Sequence, residues 1–351
     1  MRPTIKDVSD MAGVSMKTVS RVLNKEKYVS ERTRLAVERA MAELNFQPSV
    51  AARILKGSRS YQIALIYDNH SPHYIHQIQT GVWARCIEEG VRLLAQPSDV
   101  ASPNLAREIG GLVDQTQVDG VILSSPVTDA AAALAELDRR GVPYVRISPG
   151  TEHDRSSSVS MDDVQAADDM TSHLIALGHR RIGFIIGHSN HAASDLRLFG
   201  YRRALDRAGL AFEPKYVRPG QFDFASGEAA ADVLLDLPQR PTAIFASNDD
   251  MAAGVLTVAH RRGLSVPGDL SVAGFDDTAL ASQLWPPLTT VRQPTRELAY
   301  AAASLLFGVE DEVVHRRLPH ELVIRGSTAA PAKPRSVPRS PGPEGDGCGE
   351  G

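Results

Sequence analysis

The stretch TIKDVSDMAGVSMKTVSRVLN, residues 4–24, decides how the N-terminus of this chain folds. Thr4 can cap a helix that carries Asp7 in its first turn, which is the spacing of a capping box. Gly13 can adopt the positive φ that a tight turn requires. Ser15 can then cap a second short helix. The stretch therefore predicts two short helices joined by a tight turn, the helix-turn-helix arrangement.

A small apolar core is expected to hold these helices together. The second helix, over residues 16–23, turns Val19 and Val22 inward. A third amphipathic helix is predicted over residues 31–44. The apolar side chains that it would add to the core are Leu35, Val37, Ala40, Met41 and Leu44. The outer face of the second helix would remain free to lie in a DNA major groove.

Charge is distributed unevenly along the chain. Residues 1–60 hold 12 Lys/Arg and 6 Asp/Glu, a net charge of +6, whereas the remainder carries a net charge of −10. A basic head on an acidic body is typical of a protein that presents one end to the phosphate backbone of nucleic acid. Solvated surfaces also produce such runs, so the helix-turn-helix motif is the stronger indication.

Length and composition favour a cytoplasmic protein of two or three domains. The chain has 351 residues, of which 42% are hydrophobic and 23% charged. Two cysteines, Cys86 and Cys348, are too few for a disulfide framework or a cysteine-based zinc site. We find no apolar signal segment at the N-terminus and no apolar run long enough to span a bilayer, which favours the reducing cytoplasm.

From residue 61 to about 330, apolar strands alternate with amphipathic helices. Strands are predicted over residues 62–67, 120–123, 143–147, 181–186, 243–246 and 270–275. Helices are predicted over residues 75–89, 130–139, 164–177, 199–208, 226–235 and 250–262. This alternation is typical of parallel sheets with helices on both faces. Because the pattern starts twice, at Gln62 and at Arg181, we expect two similar units with a ligand crevice at the carboxyl ends of their strands.

The stretch at residues 4–24 resembles the N-terminal signature of the LacI family of bacterial repressors over its whole length. By this resemblance Met16, Lys17 and Arg21 occupy the base-reading positions of the recognition helix. The two basic side chains can donate to guanine, whereas Met16 offers an apolar contact, for instance to a thymine methyl group.

The same resemblance predicts contacts with DNA phosphates. Ser15, Thr18 and Ser20 have hydroxyls suited to phosphate oxygens, which position the helix without specifying sequence. The alternative for each hydroxyl is helix capping or simple exposure, and for Ser15 capping and phosphate contact are compatible. Thr4 and Asn24 complete the predicted contacts of the head.

The segment FQPSVAARILKGSRS, residues 46–60, is similar to the hinge helix of this family. By resemblance Leu55 is the apolar wedge that enters the minor groove at the centre of the operator. Hinge residues expected to contact DNA or the second hinge are Ala52, Arg53, Leu55 and Lys56. So short a helix is unstable alone in water, so we expect it to form on DNA. Ala51 stands where a larger β-branched residue is common, which would loosen hinge packing.

The body resembles the family's core, which shares its fold with periplasmic sugar-binding proteins. The matching motifs are LGHRRIGFIIG at 177–187, RLFGYRRAL at 197–205, ASNDDMAAGVL at 246–256, SVAGFDD at 271–277, PPLTTVRQP at 286–294 and ELVIRGST at 321–328. The expected fold class is α/β, with an N-terminal all-α helix-turn-helix head and hinge helix. Two doubly wound parallel-sheet subdomains of the periplasmic-binding-protein type follow.

Domain boundaries follow from the resemblance and from composition. We expect a DNA-binding domain at 1–47, a hinge helix and linker at 48–60, an effector-binding and dimerisation core at 61–330, and a tail at 331–351. Within the core the expected parts are an N-subdomain at about 61–160 plus about 291–318, and a C-subdomain at about 161–290 plus about 319–330. Proline, glycine and serine dominate the tail, so disorder is expected there.

Several motifs place polar side chains at strand ends beside the crevice. By resemblance the effector-binding residues are Arg197, Phe222, Asn248, Asp249 and Asp276, with Asn69, Tyr74 and Gln293 as further candidates. Carboxylates can accept hydrogen bonds from paired hydroxyls, Arg197 can donate to a ring oxygen or an acidic group, and Phe222 would stack on a sugar face. Structural roles stay open as alternatives: Asp276 or Asp277 could cap the next segment, and Arg197 could form only a salt bridge.

Histidines concentrate near the same crevice, in two predicted loops: His70, His73 and His76, and His188 and His191. Their spacing could serve a metal ion, but neither motif has acidic or cysteine partners, so we predict no metal site. Two interpretations remain open. The imidazoles and Arg197 would suit a polar, even acidic, sugar, or these loops are simply exposed to solvent.

Catalytic motifs are missing from the sequence. It has no Gly-rich phosphate loop, no G-x-S-x-G elbow and no metalloprotease helix, and GHSNH at 187–191 lacks a third orienting group. We therefore predict no enzyme activity and no cofactor. The alternatives are a solute receptor on the same core, which the head opposes, and a sugar-modifying enzyme, which turnover of the ligand would reveal.

The leading hypothesis is a ligand-responsive transcription repressor. Two chains would pair through their cores and bind palindromic double-stranded operator DNA. A sugar or sugar derivative in the crevice would change the angle between subdomains and the position of the hinges. Some family members form tetramers through a C-terminal heptad helix, which the tail lacks, so a homodimer is preferred. Family usage favours an inducer over a co-repressor, and no membrane partner is expected.

Overall fold

The head of the protein is a bundle of three short helices. The computed structural model describes residues 3–23, 26, 28–46, 59–69, 71–308 and 312–332. The head helices are α1 (Ile5–Ala12), α2 (Met16–Leu23) and α3 (Glu31–Glu43). The predicted hinge contacts, Asn24 and most of the tail lie outside the described residues.

The predicted caps of the first two helices are confirmed. The Thr4 amide donates to the Asp7 carboxylate at 2.7 Å, and Thr4 Oγ1 accepts from the Asp7 amide at 3.4 Å, which completes a capping box. Gly13 has a φ of 65°, which glycine tolerates without strain. Ser15 Oγ accepts from the Thr18 amide at 3.1 Å. The helix-turn-helix therefore forms as its local sequence dictates.

The core of the head is small and apolar. Its buried residues are Val8, Val19, Val22, Val37 and Ala40. The prediction for Leu35 is wrong, since this side chain is 48% exposed. A helix turns by about 100° per residue, so Leu35 lies on nearly the opposite side from Val37 and cannot join the same core. Met41 and Leu44 are half-buried against the cluster.

Helices and strands alternate through the body. The helices are α4 (Pro72–Glu89), α5 (Leu105–Thr116), α6 (Ala131–Arg140), α7 (Asp163–Ala176), α8 (Ala192–Arg207), α9 (Phe224–Leu235), α10 (Asp249–Arg261), α11 (Ala279–Gln283) and α12 (Thr295–Phe307). The strands are β1 (Gln62–Tyr67), β2 (Arg92–Pro97), β3 (Gly120–Leu123), β4 (Tyr144–Ile147), β5 (Ser158–Ser160), β6 (Ile182–Ile185), β7 (Val217–Arg218), β8 (Ala243–Ala246), β9 (Ser271–Asp276), β10 (Thr289–Arg292), β11 (His315–Arg317) and β12 (Glu321–Val323). None of the helices in the described part of the chain is long and apolar enough to cross a membrane.

The strands form two sheets of the same design. The first has the order β11-β5-β4-β3-β1-β2 and is parallel throughout. The second has the order β12-β10-β9-β8-β6-β7 and is parallel except for the edge pair of β10 and β12. Helices cover both faces through separate apolar clusters. This is the predicted pair of doubly wound subdomains.

The chain passes between the two sheets three times. It leaves the first sheet after β5, returns to it through α12, and leaves it again between β11 and β12. Helix α12 buries Leu298, Ala299 and Ala302 in the core of the first sheet. Strand β10 reaches Arg292, so the second crossing falls just after the expected position near 291. We propose subdomain boundaries at these crossings.

Candidate functional site

One face of α2 is the candidate DNA-reading surface. Val19 and Val22 are buried in the head, whereas Met16, Lys17 and Arg21 are exposed on the other side. Met16 is 52% exposed, so its side chain is accessible for an apolar contact. The structure thus leaves free the side chains that were predicted to read bases.

The polar residues around α2 have local roles as well. Ser15 Oγ and Thr18 Oγ1 are hydrogen-bonded at 2.9 Å, and Arg21 Nε lies 3.5 Å from a carboxylate oxygen of Glu26. Both side chains of this ion pair are close to half-exposed, so water screens it and it contributes little to stability. Arg21 can therefore exchange Glu26 for an acceptor on DNA.

A polar cleft lies where the carboxyl ends of the strands of both sheets meet. The first sheet supplies the wall made by Asn69, Ser71, Tyr74, Ser125 and Ser148. The second supplies Asp163, His191, Ala193, Arg197, Phe222, Asn248 and Asp276, with Gln293 at the crossing. The space between the walls is about 40 Å³, room for about three water molecules. A sugar ring needs more space than this, so the walls must separate to admit one.

Arg197 occupies the centre of the second wall. It lies on α8, which begins at Ala192 and not at residue 199 as expected. Its Nε donates to Asp163 at 2.8 Å, and its Nη1 donates to the carbonyl oxygen of Ser247 at 2.6 Å. The guanidinium carbon lies 3.6 Å from the ring centroid of Phe275. These contacts fix the buried side chain, while Nη2 donates to no described residue.

Asp276 faces Arg197 from the end of β9. One carboxylate oxygen, Oδ1, lies 4.0 Å from Nη1 of Arg197 and accepts a hydrogen bond from Gln293 Nε2. The other oxygen, Oδ2, has no partner among the described residues. Burial raises the pKa of Asp276 to about 7, although the charge of Arg197 and the Gln293 hydrogen bond oppose that rise. A ligand hydroxyl could donate to Oδ2.

Asn248 and Asp249 act within the protein. Asn248 caps α10 by accepting from the Met251 amide at 2.9 Å, and its Nδ2 donates to the Phe222 carbonyl at 2.9 Å. It also lines the cleft. Asp249 does not line it. Its fully buried carboxylate accepts from the Thr278 amide at 2.7 Å and from Thr290 Oγ1 at 2.7 Å, because the start of α10 points it behind β9 and β10.

The aromatic corner of the cleft contains Phe222 and His191. Their ring centroids are 5.1 Å apart in an edge-on arrangement, and Phe222 has a φ of 60°. His191 is 6% exposed, which opposes the solvent-exposed interpretation for this residue. Its Nδ1 is hydrogen-bonded to Ser125 Oγ at 3.2 Å, across the cleft.

The predicted histidine loop on the first wall is wrong. His73 and His76 lie in α4, because Pro72 opens that helix earlier than the apolar pattern indicated, and His70 lies outside the described residues. Neither acidic residue after β9 caps α11, since Thr278 is its N-cap residue and makes no side-chain cap. Asp277 pairs instead with Arg292 and Arg325.

The remaining candidates lie on the first wall. Asn69 Oδ1 accepts from the Ser71 amide at 2.8 Å, just after β1. Tyr74, in the first turn of α4, is half-buried, and desolvation raises its phenol pKa, so it stays a neutral donor and acceptor. Ser71 Oγ donates across the cleft to Asp250 Oδ2 at 2.8 Å.

Six cleft residues were not among the predicted effector contacts: Ser71, Ser125, Ser148, Asp163, His191 and Ala193. The serines carry no pattern that separates them from other loop serines. Asp163 had a signal, since it opens α7 directly after the chain leaves β5 and so stands at the crossing beside the crevice. His191 was noted among the histidines but not assigned to a wall.

A helix-turn-helix head joined to a two-sheet core with a polar cleft defines the class of ligand-responsive DNA-binding regulators. Residues 4–49 match the family described as bacterial regulatory proteins, lacI family, and residues 171–328 match the periplasmic binding protein-like domain. The chain belongs to the LacI family and is a ligand-responsive, DNA-binding transcription repressor.

Relatives support this assignment over nearly the whole chain. The HTH-type transcriptional regulator DegA of Bacillus subtilis (strain 168) is 35% identical over 335 residues, 94% of this chain and 99% of DegA. The ribose operon repressor of Escherichia coli (strain K12) is 36% identical over 303 residues, 86% of this chain and 92% of that protein. The lac repressor dimer bound to operator and the anti-inducer ONPF superposes with a TM-score of 0.77 at 31% identity, covering 94% of this chain and 100% of that one.

Proposed function

We propose that this repressor is controlled by a sugar or sugar derivative that binds between the two walls of the cleft. The residues proposed to contact it are Arg197, Phe222, Asn248, Asp276, Gln293, Asn69 and Tyr74. Asp249 is proposed in a supporting role, because its bonds to Thr278 and Thr290 fix the segments that present Asp276 and Gln293.

The observation that carries this proposal is the pair of unused groups on Arg197 and Asp276. Nη2 of Arg197 and Oδ2 of Asp276 lack partners among the described residues, although both side chains are buried at the cleft. The two side chains approach each other to 4.0 Å through Nη1 and Oδ1, so an unused donor and an unused acceptor are available to neighbouring hydroxyls of a sugar. Phe222 adds an apolar surface of the kind that packs on a sugar ring. One relative is a ribose operon repressor, and a solved regulator is a complex with cellobiose.

We further propose that the repressor binds a palindromic operator as a dimer, in the cytoplasm and on the nucleoid. Met16, Lys17 and Arg21 would read bases, and Leu55 would wedge the operator centre. Support comes from the exposed base-reading face of α2 and from the similarity to the operator-bound lac repressor dimer. Trp83 and Ile87, one turn apart on α4 and each 56% exposed, offer an apolar surface that a second chain would cover.

We infer that the ligand leaves the cleft unchanged. Arg197 is held by Asp163, and His191 is hydrogen-bonded to Ser125 and packed edge-on against Phe222, so these side chains are arranged to hold a ligand in place. Recovery of a bound sugar in unaltered form after prolonged incubation, checked by mass spectrometry, is the expected result. A converted product would show an enzyme.

The direct test is a thermal-shift screen of the purified protein against sugars, nucleosides and their derivatives. A ligand at 100 times its dissociation constant adds about 2.7 kcal/mol of stability, enough for a shift of a few degrees. Any hit is then added to a fluorescence-anisotropy assay with operator DNA, where weaker binding marks an inducer and tighter binding a co-repressor. The proposal predicts a hit that changes operator affinity.

Substitutions in the cleft test whether the ligand found in the screen binds there. Arg197→Met should remove the thermal shift, whereas Arg202→Met, on the same helix but stacked on Phe212 at the surface, should keep it. Arg197→Met leaves the buried Asp163 without its partner, so Phe222→Ala serves as a second variant if the first is unstable. A hit that survives both cleft variants would place the ligand elsewhere.

A further inference from the structure

The two walls of the cleft differ in charge. Its ionic side chains, Asp163, Arg197 and Asp276, all belong to the wall of the second sheet. The wall of the first sheet offers hydroxyl, amide and phenol groups only, from residues such as Asn69 and Ser148. A ligand between the walls therefore meets a neutral polar surface on one side and every fixed charge on the other.

The positive charge of Arg197 is already shared between two carboxylates. Asp163 accepts from its Nε at 2.8 Å, and Asp276 lies 4.0 Å from its Nη1. The side chains of all three residues are at most 7% exposed, so solvent screens them little. Their net charge is −1 when both carboxylates are ionised and zero when one is protonated. The cleft thus holds no surplus positive charge.

An anionic ligand would add a negative charge to this group. Burial of an uncompensated charge beside like charges is costly, and one further hydrogen bond from Arg197 Nη2 does not offset it. Hydroxyl groups have no such cost, since each can donate to Asp276 or accept from Arg197 while the net charge stays the same. Charge therefore selects against sugar acids and sugar phosphates.

A neighbouring pocket does not supply the missing cation. It opens beyond Tyr74 and Gln293 and contains Arg292 and Arg296. Arg292 is held by Asp277 at 2.7 Å and by a second carboxylate at 2.6 Å. Arg296 is exposed to solvent and does not line the cleft that contains Arg197.

We propose that the effector is an uncharged polyhydroxy compound, and that the buried Asp163–Arg197–Asp276 group excludes its acidic and phosphorylated forms. This inference rests on the proposed function, because it specifies the occupant of the same cleft. From the sequence, a polar and even acidic sugar was expected, because Arg197 was considered without its two carboxylate partners. The acidic form is now excluded.

The test is calorimetric titration of the full-length protein with matched pairs that share a ring and differ in charge. The pairs are ribose and ribose 5-phosphate, glucose and gluconate, and cytidine and cytidine monophosphate. The neutral member of a binding pair should bind about 100-fold tighter, the effect of one added charge about 6 Å from a carboxylate at an effective dielectric of 20. Tighter binding of the charged member would overturn this inference and leave the proposed function intact. If no pair binds, an effector built on these three rings is excluded, and the thermal-shift screen decides the proposed function independently.

A variant tests the cause of the selectivity. Asp163→Asn removes one of the two carboxylates that hold Arg197, so the preference for the neutral member should shrink about tenfold or more. Asp169→Asn is the matched control on the same helix, since Asp169 pairs with His320 outside the cleft. An unchanged ratio in a folded Asp163→Asn protein would show that shape and not charge selects the ligand. If that variant does not fold, the ratio measured on the native protein still decides.

Discussion

At the scale of single residues, Asp276 combines two properties that rarely occur together. It is buried at the end of β9 with a pKa near 7, and one of its oxygens is unused by the protein. Arg197 and Gln293 favour its ionised form, whereas burial favours the neutral one. A ligand hydroxyl that donates to the carboxylate stabilises its ionised form further.

Effector affinity should therefore rise with pH across neutrality. An acid with a pKa near 7 is about one-tenth ionised at pH 6 and about nine-tenths ionised at pH 8, so affinity should increase about tenfold over this range. The measurement is calorimetric titration at pH 6, 7 and 8. Asp276→Asn is the control, because the amide cannot ionise at this position. A pH dependence that persists in this variant would show that Asp276 is not its cause.

The two walls lie close together at Gly150. A Cβ atom at this position would lie 2.2 Å from Cβ of Ala192, at the start of α8 on the other wall. The loop that carries Gly150 is fixed, because the Asp129 carboxylate accepts from its amide at 2.9 Å. The walls can come this close only because residue 150 is a glycine, which has no side chain.

Gly150→Ala should oppose closure of the cleft. Overpacking of this kind costs the closed form about 1–3 kcal/mol, and a sugar ring needs a wider cleft than this structure has, so effector affinity should rise by up to the corresponding factor. Gly111→Ala is the matched control, because Gly111 lies in α5 with no atom within 4 Å of the added methyl group. Titration of both variants with the effector gives the comparison, and a lower affinity in Gly150→Ala would mean that the bound form is as closed as this structure.

At the scale of elements, helix α2 is held by its buried face and leaves its outer face for DNA. Val19 and Val22 anchor it, and the Ser15 cap fixes its first turn. The side chains that are proposed to read DNA bases therefore project from a rigid helix, which favours binding to one specific DNA sequence.

Arg21→Ala should weaken operator binding by about 1–3 kcal/mol per half-site and relax the choice of sequence. Fluorescence anisotropy against the operator and against a variant with its guanine contacts replaced measures both effects. Arg107→Ala, in α5 of the body, is the control for loss of one positive charge. Retained discrimination between the two DNA sequences would show that α2 is not the recognition helix.

The sequence predicts those elements whose residues follow a strong local rule. Strands β1, β3 and β8 are continuous apolar runs and appear at their predicted bounds. Strand β2 was missed, because it lies at a sheet edge and only partly buries its side chains. Strands β7, β11 and β12 have two or three residues each, too few for a pattern. Leu35 was misassigned because its hydrophobicity was considered without its angular position.

Only some of the cleft residues could be predicted from the sequence, because only some belong to recognisable motifs. Arg197, Asp276 and Gln293 belong to long motifs, so the family resemblance identified them. Asp249 belongs to such a motif too, but only the fold shows that its carboxylate points behind the strands. Ser71 and Ser125 reach the cleft through loops whose path depends on tertiary packing, and no local pattern specifies that path.

At the scale of the whole molecule, the apolar side chains on α4 indicate how two chains meet. Trp83 and Ile87 project from the first subdomain, near Tyr300 on α12, which is 37% exposed. Large exposed aromatic residues of this kind are common centres of protein interfaces. Helix α4 also begins at the cleft, so an interface on it would be connected to the wall that contacts the effector.

Trp83→Arg should weaken the dimer. Loss of a buried aromatic residue from an interface costs about 2 kcal/mol or more, which corresponds to a dissociation constant raised about 30-fold. Sedimentation over a range of protein concentrations measures this change. Phe199→Arg, at a similarly exposed aromatic residue on α8, is the control and should leave the dimer unchanged. A dimer that is insensitive to Trp83→Arg would have its contact elsewhere.

Strands β11 and β12, late in the chain, complete both sheets, so the two subdomains depend on the same stretch of chain. Strand β11 forms one edge of the first sheet and β12 one edge of the second, and Ser327 and Ala329 then bond back to β9 and its neighbours. During synthesis, both subdomains therefore wait for the same final stretch of about 15 residues to leave the ribosome. A truncated product lacking that stretch would leave two unfinished sheet edges. A chain that ends before residue 315 should therefore complete neither subdomain.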